Sequence, residues 1–115
     1  MRLNGIEAGA GSPILLLHGL FGAAGNWGAV QKALATDHRV TALDLRNHGA
    51  SPHVAAMDYA SMAADVAETM EGPAAVIGHS MGGKAAMMLA LFSMMVVGTV
   101  TLSYVASRET STVRA

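Results

Sequence analysis

Three short apolar runs recur along the chain: ILLL at 14–17, RVTAL at 39–43 and AAVI at 74–77. Runs of about four to eight apolar residues are typical of strands buried on both faces, as in a parallel sheet. Segments with helix-like spacing of apolar residues separate or follow them. Strands that alternate with helices in this way pair in parallel through right-handed crossovers. The sequence therefore predicts an α/β fold, a mostly parallel sheet flanked by helices.

The predicted helices lie within 27–35, within 57–72 and at about 82–95. The second has the clearest boundaries, because Asp58 can cap its start and Gly72 with Pro73 stops it. Its acidic residues are predicted to form a solvated face without a metal site. These residues are Asp58, Asp65, Glu68 and Glu71. After residue 95 the β-branched content rises, which predicts a further strand at 98–104.

Length and composition favour a single domain, residues 1–115, with a large buried core, because 52% of the residues are apolar and 13% are charged. The net charge is −1 and the seven Lys and Arg residues are scattered, so nucleic acid is not an expected partner. The absence of cysteine excludes a disulfide framework and thiolate metal sites. The first 13 residues lack the apolar stretch of a secretory signal. We therefore expect a cytoplasmic location.

The stretch from 85 to 106 contains no charged residue, and about 20 apolar residues can span a bilayer. A membrane anchor flanked by Lys84 and Arg108 is therefore an alternative interpretation. The β-branched residues that follow Met95 favour a helix and then a strand over one continuous helix. We expect this segment to belong to the α/β domain and the membrane not to be a partner.

The motif VIGHSMGG at 76–83 follows a predicted strand and opens a predicted helix. This is the setting of a nucleophile elbow, a tight strand-to-helix turn that exposes a serine hydroxyl. Gly78 and Gly82 fit because such a turn leaves no room for a Cβ atom on either side. The sequence predicts that Ser80 is a catalytic nucleophile. The alternative is that Ser80 caps an ordinary helix after a glycine-rich turn.

A second glycine-rich segment, HGLFG at 18–22, follows the first apolar run. A serine nucleophile needs two N–H donors for the oxyanion that forms during its attack. One donor comes from the start of the helix after the serine and one from another segment. By analogy with such enzymes, we assign these donors to the backbone N–H groups of Leu20 and Met81.

Together, LLLHGLFGAAGNW, VTALDLRNHGASPH and VIGHSMGGKAAM make the sequence similar to the α/β-hydrolase superfamily. Within it, the chain most resembles bacterial YbfF-type esterases and mitochondrial abhydrolase-domain proteins. The resemblance covers about residues 3–92, whereas 92–115 match poorly. It implies hydrolysis of a small-molecule acyl ester or thioester through an acyl-serine, without metal or cofactor. It also implies loop-shaping hydrogen bonds for His18, Asp44, Arg46, Asn47 and His48.

The catalytic base and acid of the family have no counterparts in this sequence. In this fold the chain order is serine, acid, histidine, yet all five histidines precede Ser80. Tyr104 stands where the acid is expected, and Glu109 follows five residues later. Family members have about twice this length, so we expect a partial fold without the cap and last strands, and weak or absent turnover. A non-catalytic fragment or binding module is the alternative. A sheet that stops one strand after the nucleophile elbow would leave an open, apolar edge, which predicts self-association.

Overall fold

A computed structural model describes residues 1–97 and 103–105, with side chains described for residues 1–93. The strands are β1 Gly5–Ala8, β2 Ser12–Leu17, β3 His38–Leu43, β4 Ala75–Gly78 and β5 Ser103–Val105. The helices are a 3₁₀ turn at Ala24–Trp27, α1 Gly28–Leu34, α2 Tyr59–Thr69 and α3 Met81–Val97. Each helix and strand predicted within residues 1–97 has a counterpart, with boundaries that differ by one to a few residues.

The five strands form one sheet in the order β1-β3-β2-β4-β5. Strand β2 pairs in parallel with β3 and β4, and β5 pairs in parallel with β4. Strand β1 runs antiparallel to β3 and was not predicted, because it is short and largely exposed and so has no apolar run. The predicted α/β fold with a mostly parallel sheet is confirmed.

Side chains of β2 enter a separate core on each face of the sheet. Leu15 and Leu17 pack in the core formed with α2 and α3, whereas Ile14 and Leu16 pack in the core near α1. Burial of each such side chain contributes about 1.5–3 kcal/mol. The uninterrupted run ILLL is therefore explained by a strand that is covered on both sides.

Helix α2 begins as predicted, since the Asp58 carboxylate accepts a hydrogen bond of 2.7 Å from the Ser61 N–H. The prediction of a solvated acidic face is wrong for Asp65, whose side chain is 2% exposed. Arg46 Nε donates to its Oδ2 at 2.6 Å. Position 65 adjoins Val66 on the buried side of α2, where a carboxylate is tolerated because it is paired. Glu71 lies beyond the helix end.

The predicted strand at 98–104 corresponds to β5, in which Tyr104 pairs with Ile77 of β4. Residues 98–102 lie outside the described part of the chain. Within residues 1–97 and 103–105, no helix combines the length and apolar character needed to cross a bilayer. The division into one domain, with a poorly matching segment at 92–115, stays a prediction.

Candidate functional site

The connection between β4 and α3 is a sharp turn centred on Ser80. Ser80 has φ +52°, a left-handed conformation that non-glycine residues rarely adopt and that is enriched at functional sites. The Gly82 N–H donates to the His79 carbonyl at 2.9 Å, and the Lys84 N–H donates to the Ser80 carbonyl at 3.1 Å. The chain therefore passes directly from strand to helix, with Ser80 half-buried at the bend.

Two glycines make this turn possible because backbone atoms pack closely around them. A Cβ atom on Gly78 would overlap the carbonyl group of Gly82. A Cβ atom on Gly82 would overlap the carbonyl oxygens of Leu17 and His18 at the end of β2. The predicted steric role of both glycines is thus confirmed, and the turn at Ser80 rests directly on the end of β2.

The glycine-rich segment after β2 lies beside this turn. The His79 N–H donates to the Leu17 carbonyl at 2.9 Å, and a Cβ atom on Gly19 would lie 3.0 Å from His79 Nδ1. The segment itself forms a turn, closed by the Gly22 N–H, which donates to the Gly19 carbonyl at 2.9 Å. Phe21 within it has φ +62°. The two glycine-rich segments therefore meet at the carboxyl ends of β2 and β4.

The amides of this second turn differ in their partners. Phe21 N–H donates to His48 Nε2 at 3.1 Å, and Gly22 N–H is used within the turn. The Leu20 N–H makes no hydrogen bond within the described residues. Met81 is the first residue of α3, and amides in the first turn of a helix have no acceptor inside it. The N–H groups of Leu20 and Met81 therefore have no backbone acceptor within the described residues.

The predicted hydrogen-bonding role of His18 is confirmed. Its Nε2 accepts a hydrogen bond of 3.0 Å from the Leu45 N–H, and its Nδ1 lies 2.7 Å from the Gly19 carbonyl oxygen. Because an amide can only donate, the proton of the neutral ring is on Nδ1. Burial lowers the pKa of His18. The neutral ring therefore connects the glycine-rich turn after β2 with the loop after β3.

Asp44 joins three segments through its carboxylate. Its Oδ1 accepts from the Ala24 N–H at 2.7 Å, and its Oδ2 accepts from the Ala50 N–H at 3.0 Å and from Asn4 Nδ2 at 2.9 Å. Burial alone would raise the pKa of Asp44, but these hydrogen bonds outweigh burial and lower it. Asp44 thus has the predicted loop-shaping role.

Asn47 and Arg46 complete the loop after β3. Asn47 Oδ1 accepts from the Val54 N–H at 2.6 Å, and Arg46 Nη1 donates to the Ala56 carbonyl at 3.0 Å. The hydrogen-bonding roles predicted for this loop are therefore confirmed. Among the described residues, no group of three or more His, Asp or Glu side chains is arranged to hold a metal ion.

An open groove of about 620 Å³ lies beside the two turns. Its walls are mostly apolar and include Leu20, Phe21, Trp27, Val30 and Ile77, together with the ring-bearing residues His18 and His79. No pattern in the sequence indicated that Val30 or Ile77 would face a groove. A mostly apolar groove of this kind can hold the hydrocarbon part of a ligand.

Comparison with known proteins gives a consistent set of relatives. The model of the Alpha/beta hydrolase family matches residues 14–113. Esterase YbfF of Escherichia coli (strain K12) is 48% identical in a match that covers 68% of this chain and 32% of that protein. The sn-1-specific diacylglycerol lipase ABHD11 of Xenopus tropicalis is 47% identical, covering 70% of this chain and 27% of that protein. The chain spans about a third of the length of such relatives.

A similar fold is found among solved structures. The structure described as a marine microorganism esterase superposes with a TM-score of 0.83 at 34% sequence identity. The match covers 92% of this chain and 41% of that one. The similarity therefore extends over nearly all of this chain and less than half of the solved structure.

Proposed function

Because the chain belongs to the alpha/beta hydrolase family, we propose that it is a serine hydrolase domain for carboxyl esters or thioesters, with Ser80 as its nucleophile. The observation that carries the proposal is the left-handed φ of +52° at Ser80, in a glycine-flanked turn between β4 and α3. An ordinary helix cap has an extended backbone instead, as Asp58 of α2 does.

In the proposed reaction, the Ser80 hydroxyl attacks the carbonyl carbon of the substrate while a base accepts its proton. The carbonyl oxygen becomes an oxyanion, to which the amides of Leu20 and Met81 donate hydrogen bonds. One such donor is worth about 2.7–4 kcal/mol of transition-state stabilisation. The base then gives this proton to the departing alcohol or thiol, which leaves an acyl-serine. Water hydrolyses the acyl-serine to the free acid and regenerates the Ser80 hydroxyl. The positive end of the α3 dipole supports the same charge.

The substrate class follows from the groove and from the relatives. Its mostly apolar walls fit an acyl chain, and they include Leu20 and His79, the residue that precedes Ser80. Two relatives carry names that refer to ester substrates, an esterase and a diacylglycerol lipase. We therefore propose an acyl ester or thioester with a hydrocarbon acyl group, processed without metal or cofactor.

Turnover by this chain is proposed to be weak or absent. A base with an orienting acid normally follows the serine in chain order, but every histidine precedes Ser80. Tyr104 lies in β5, the strand that pairs with β4, where the family acid is expected, and a tyrosine is uncharged near pH 7. Enzymes that lose members of the triad retain about 10³–10⁴-fold acceleration over water.

The test is labelling of Ser80 by a fluorophosphonate probe, followed by mass spectrometry of the labelled peptide. We expect slow labelling at Ser80 and none in Ser80→Ala. Ser93→Ala is the matched control, because the Ser93 hydroxyl only donates to the Leu89 carbonyl within α3, so its labelling should equal that of the unmodified chain. Hydrolysis of p-nitrophenyl butyrate should stay far below ordinary enzyme rates.

Failure of the probe to label Ser80 would favour the second candidate function, a non-catalytic hydrolase-like module that binds acyl ligands. The apolar groove is the observation that supports this alternative. A fatty acid that raises the unfolding temperature without any labelling of Ser80 would identify it. The cytoplasmic location stays a prediction from the sequence.

A further inference from the structure

The turn that carries the Leu20 amide is not held in place by burial of its own side chains. Leu20 is 60% exposed and Phe21 is 91% exposed. Phe21 also has the unfavourable left-handed φ of +62°. A strained, exposed turn keeps one backbone geometry only when other groups determine it. Here those groups must be hydrogen-bond partners of the turn's backbone.

The side chain of His48 reaches this turn from another segment and bonds to its backbone. Its Nε2 accepts the hydrogen bond from the Phe21 N–H at 3.1 Å, and its Nδ1 lies 2.9 Å from the Arg46 carbonyl oxygen. Because an amide N–H can only donate and a carbonyl can only accept, the ring is neutral with its proton on Nδ1. Both ring nitrogens thus have fixed and opposite roles.

The His48 ring is itself held in position. The residue is buried, and its ring centroid lies 5.0 Å from that of His18. His18 in turn bonds to the Gly19 carbonyl. The two rings therefore contact the same turn at two points, His18 at its first residue and His48 at its left-handed residue.

We propose that His48 is a positioning residue for the oxyanion site. By accepting the Phe21 N–H, it fixes the left-handed geometry of the turn and so the direction of the neighbouring Leu20 N–H. It touches neither substrate nor Ser80 in this role. The link to the oxyanion rests on the proposed function. The claim that His48 holds the turn through the Phe21 N–H does not depend on that function.

Two substitutions distinguish the roles of the two ring nitrogens of His48. His48→Gln places an amide oxygen near the position of Nε2, where it can accept the Phe21 N–H. His48→Asn is shorter, so it retains a donor near Nδ1 for the Arg46 carbonyl but has no group that reaches Phe21. If His48 acts only by filling space, the two variants will behave alike. If it positions the turn, glutamine will restore what asparagine loses.

The primary readout is amide hydrogen exchange of the 115-residue chain, measured by NMR. In His48→Asn we expect the Phe21 amide to exchange about tenfold faster, the order expected for one lost hydrogen bond. The Leu16 amide in central strand β2 serves as the internal reference and should keep its protection. His48→Gln should restore most of the protection of Phe21. Unchanged exchange at Phe21 in His48→Asn would overturn the proposal.

A second readout keeps the proposal testable even if His48→Asn does not fold. Two-bond ¹H–¹⁵N spectra of the unmodified chain should show a protonated Nδ1 and an unprotonated Nε2 for His48. The opposite tautomer would contradict the proposal, because Nε2 could not then accept the Phe21 N–H. This measurement needs no variant and no activity.

The catalytic part is tested by the fluorophosphonate labelling rate at Ser80. We expect His48→Asn to label about tenfold more slowly than the unmodified chain and His48→Gln to recover most of the rate. If the unmodified chain is not labelled, the proposed function fails, while exchange at Phe21 still decides whether His48 holds the turn. If labelling occurs but is the same in all three chains, the positioning role fails alone.

Discussion

At the scale of single residues, the turn around Ser80 depends on two glycines, which have no Cβ atom. Gly78 and Gly82 face backbone atoms of the opposite limb of the turn and of β2, so neither position accepts a Cβ atom. The left-handed Ser80 between them is held by these contacts and by the hydrogen bonds of the turn. The geometry at Ser80 is therefore a property of the backbone, set by the two glycines.

Gly78→Ala should destabilise the protein by about 1–3 kcal/mol or more, because the added methyl group overlaps the Gly82 backbone. Gly28→Ala is the matched control. No atom lies within 4 Å of its added Cβ, and Gly28 has a helical φ of −47°. That change should be neutral or stabilise by about 0.4–1 kcal/mol. Urea unfolding followed by circular dichroism measures both, and equal effects would contradict the steric explanation.

Stability should also depend on the ionisation of His18. Burial lowers its pKa in the folded protein from the ordinary value of 6.5, so the unfolded chain binds the proton more readily. The contribution of the neutral ring is therefore fully present above pH 6.5 and is lost as the pH falls through the lower folded pKa. Urea unfolding at a series of pH values should show a shallower decrease for His18→Gln. Parallel curves for the two chains would exclude this linkage.

At the scale of secondary-structure elements, helix α2 is fixed to the loop after β3 by a buried ion pair. Arg46 Nε and Nη2 donate to the two carboxylate oxygens of Asp65 at 2.6 and 2.9 Å. Burial alone would raise the pKa of Asp65, but the hydrogen bonds from Arg46 and from the Met1 ammonium group lower it. The pair thus links the loop after β3 with the core that α2 and α3 share.

Asp65→Leu should destabilise the protein by about 3–5 kcal/mol, because Arg46 would remain charged and buried without its partner. The double variant with Arg46→Met should recover much of this loss, since no unpaired charge remains. Arg39→Met is the control, because it removes an ion pair at the surface. The Arg39 side chain is 37% exposed and that of Glu7 is 56% exposed, so the loss of stability should be about 0.2–1 kcal/mol. Thermal unfolding compares the unmodified chain, the two single variants and the double variant. A loss of stability for Asp65→Leu no larger than that for Arg39→Met would be inconsistent with this interpretation.

The sequence predicted those elements whose cause is local. The run ILLL indicated β2 because both of its faces are buried, and Asp58 indicated the start of α2 because capping involves only its own helix. The burial of Asp65 was not predictable, since its partner Arg46 lies 19 residues away. The bond between His48 and Phe21 spans 27 residues, and no periodic pattern records such a contact.

At the scale of the whole molecule, β1 and β5 form the two edges of the sheet. Strand β1 is largely exposed, including Ile6 at 48%. An exposed edge presents unpaired backbone groups to other chains, and exposed apolar side chains add to the attraction. Pairing with a second copy of the chain is therefore the expected form of self-association.

Size-exclusion chromatography with light scattering should show larger species as the protein concentration rises. Ile6→Lys places a charge on the exposed edge and should shift the distribution toward the monomer. Ala67→Lys, at an exposed position of α2 away from the sheet edge, controls for the added charge and should not. A monomer at every concentration would refute pairing through β1.

The position of strand β2 limits which mutations this protein can accept during evolution. It occupies the middle of the sheet, and the carbonyl of its last residue, Leu17, both accepts the His79 N–H and lies against Gly82. A mutation that shifts β2 along its axis must therefore alter the centre of the sheet and the turn at Ser80 together. Substitutions in β2 are therefore expected to change the stability of the fold and the geometry at Ser80 together. Directed evolution should find its useful variants outside this strand.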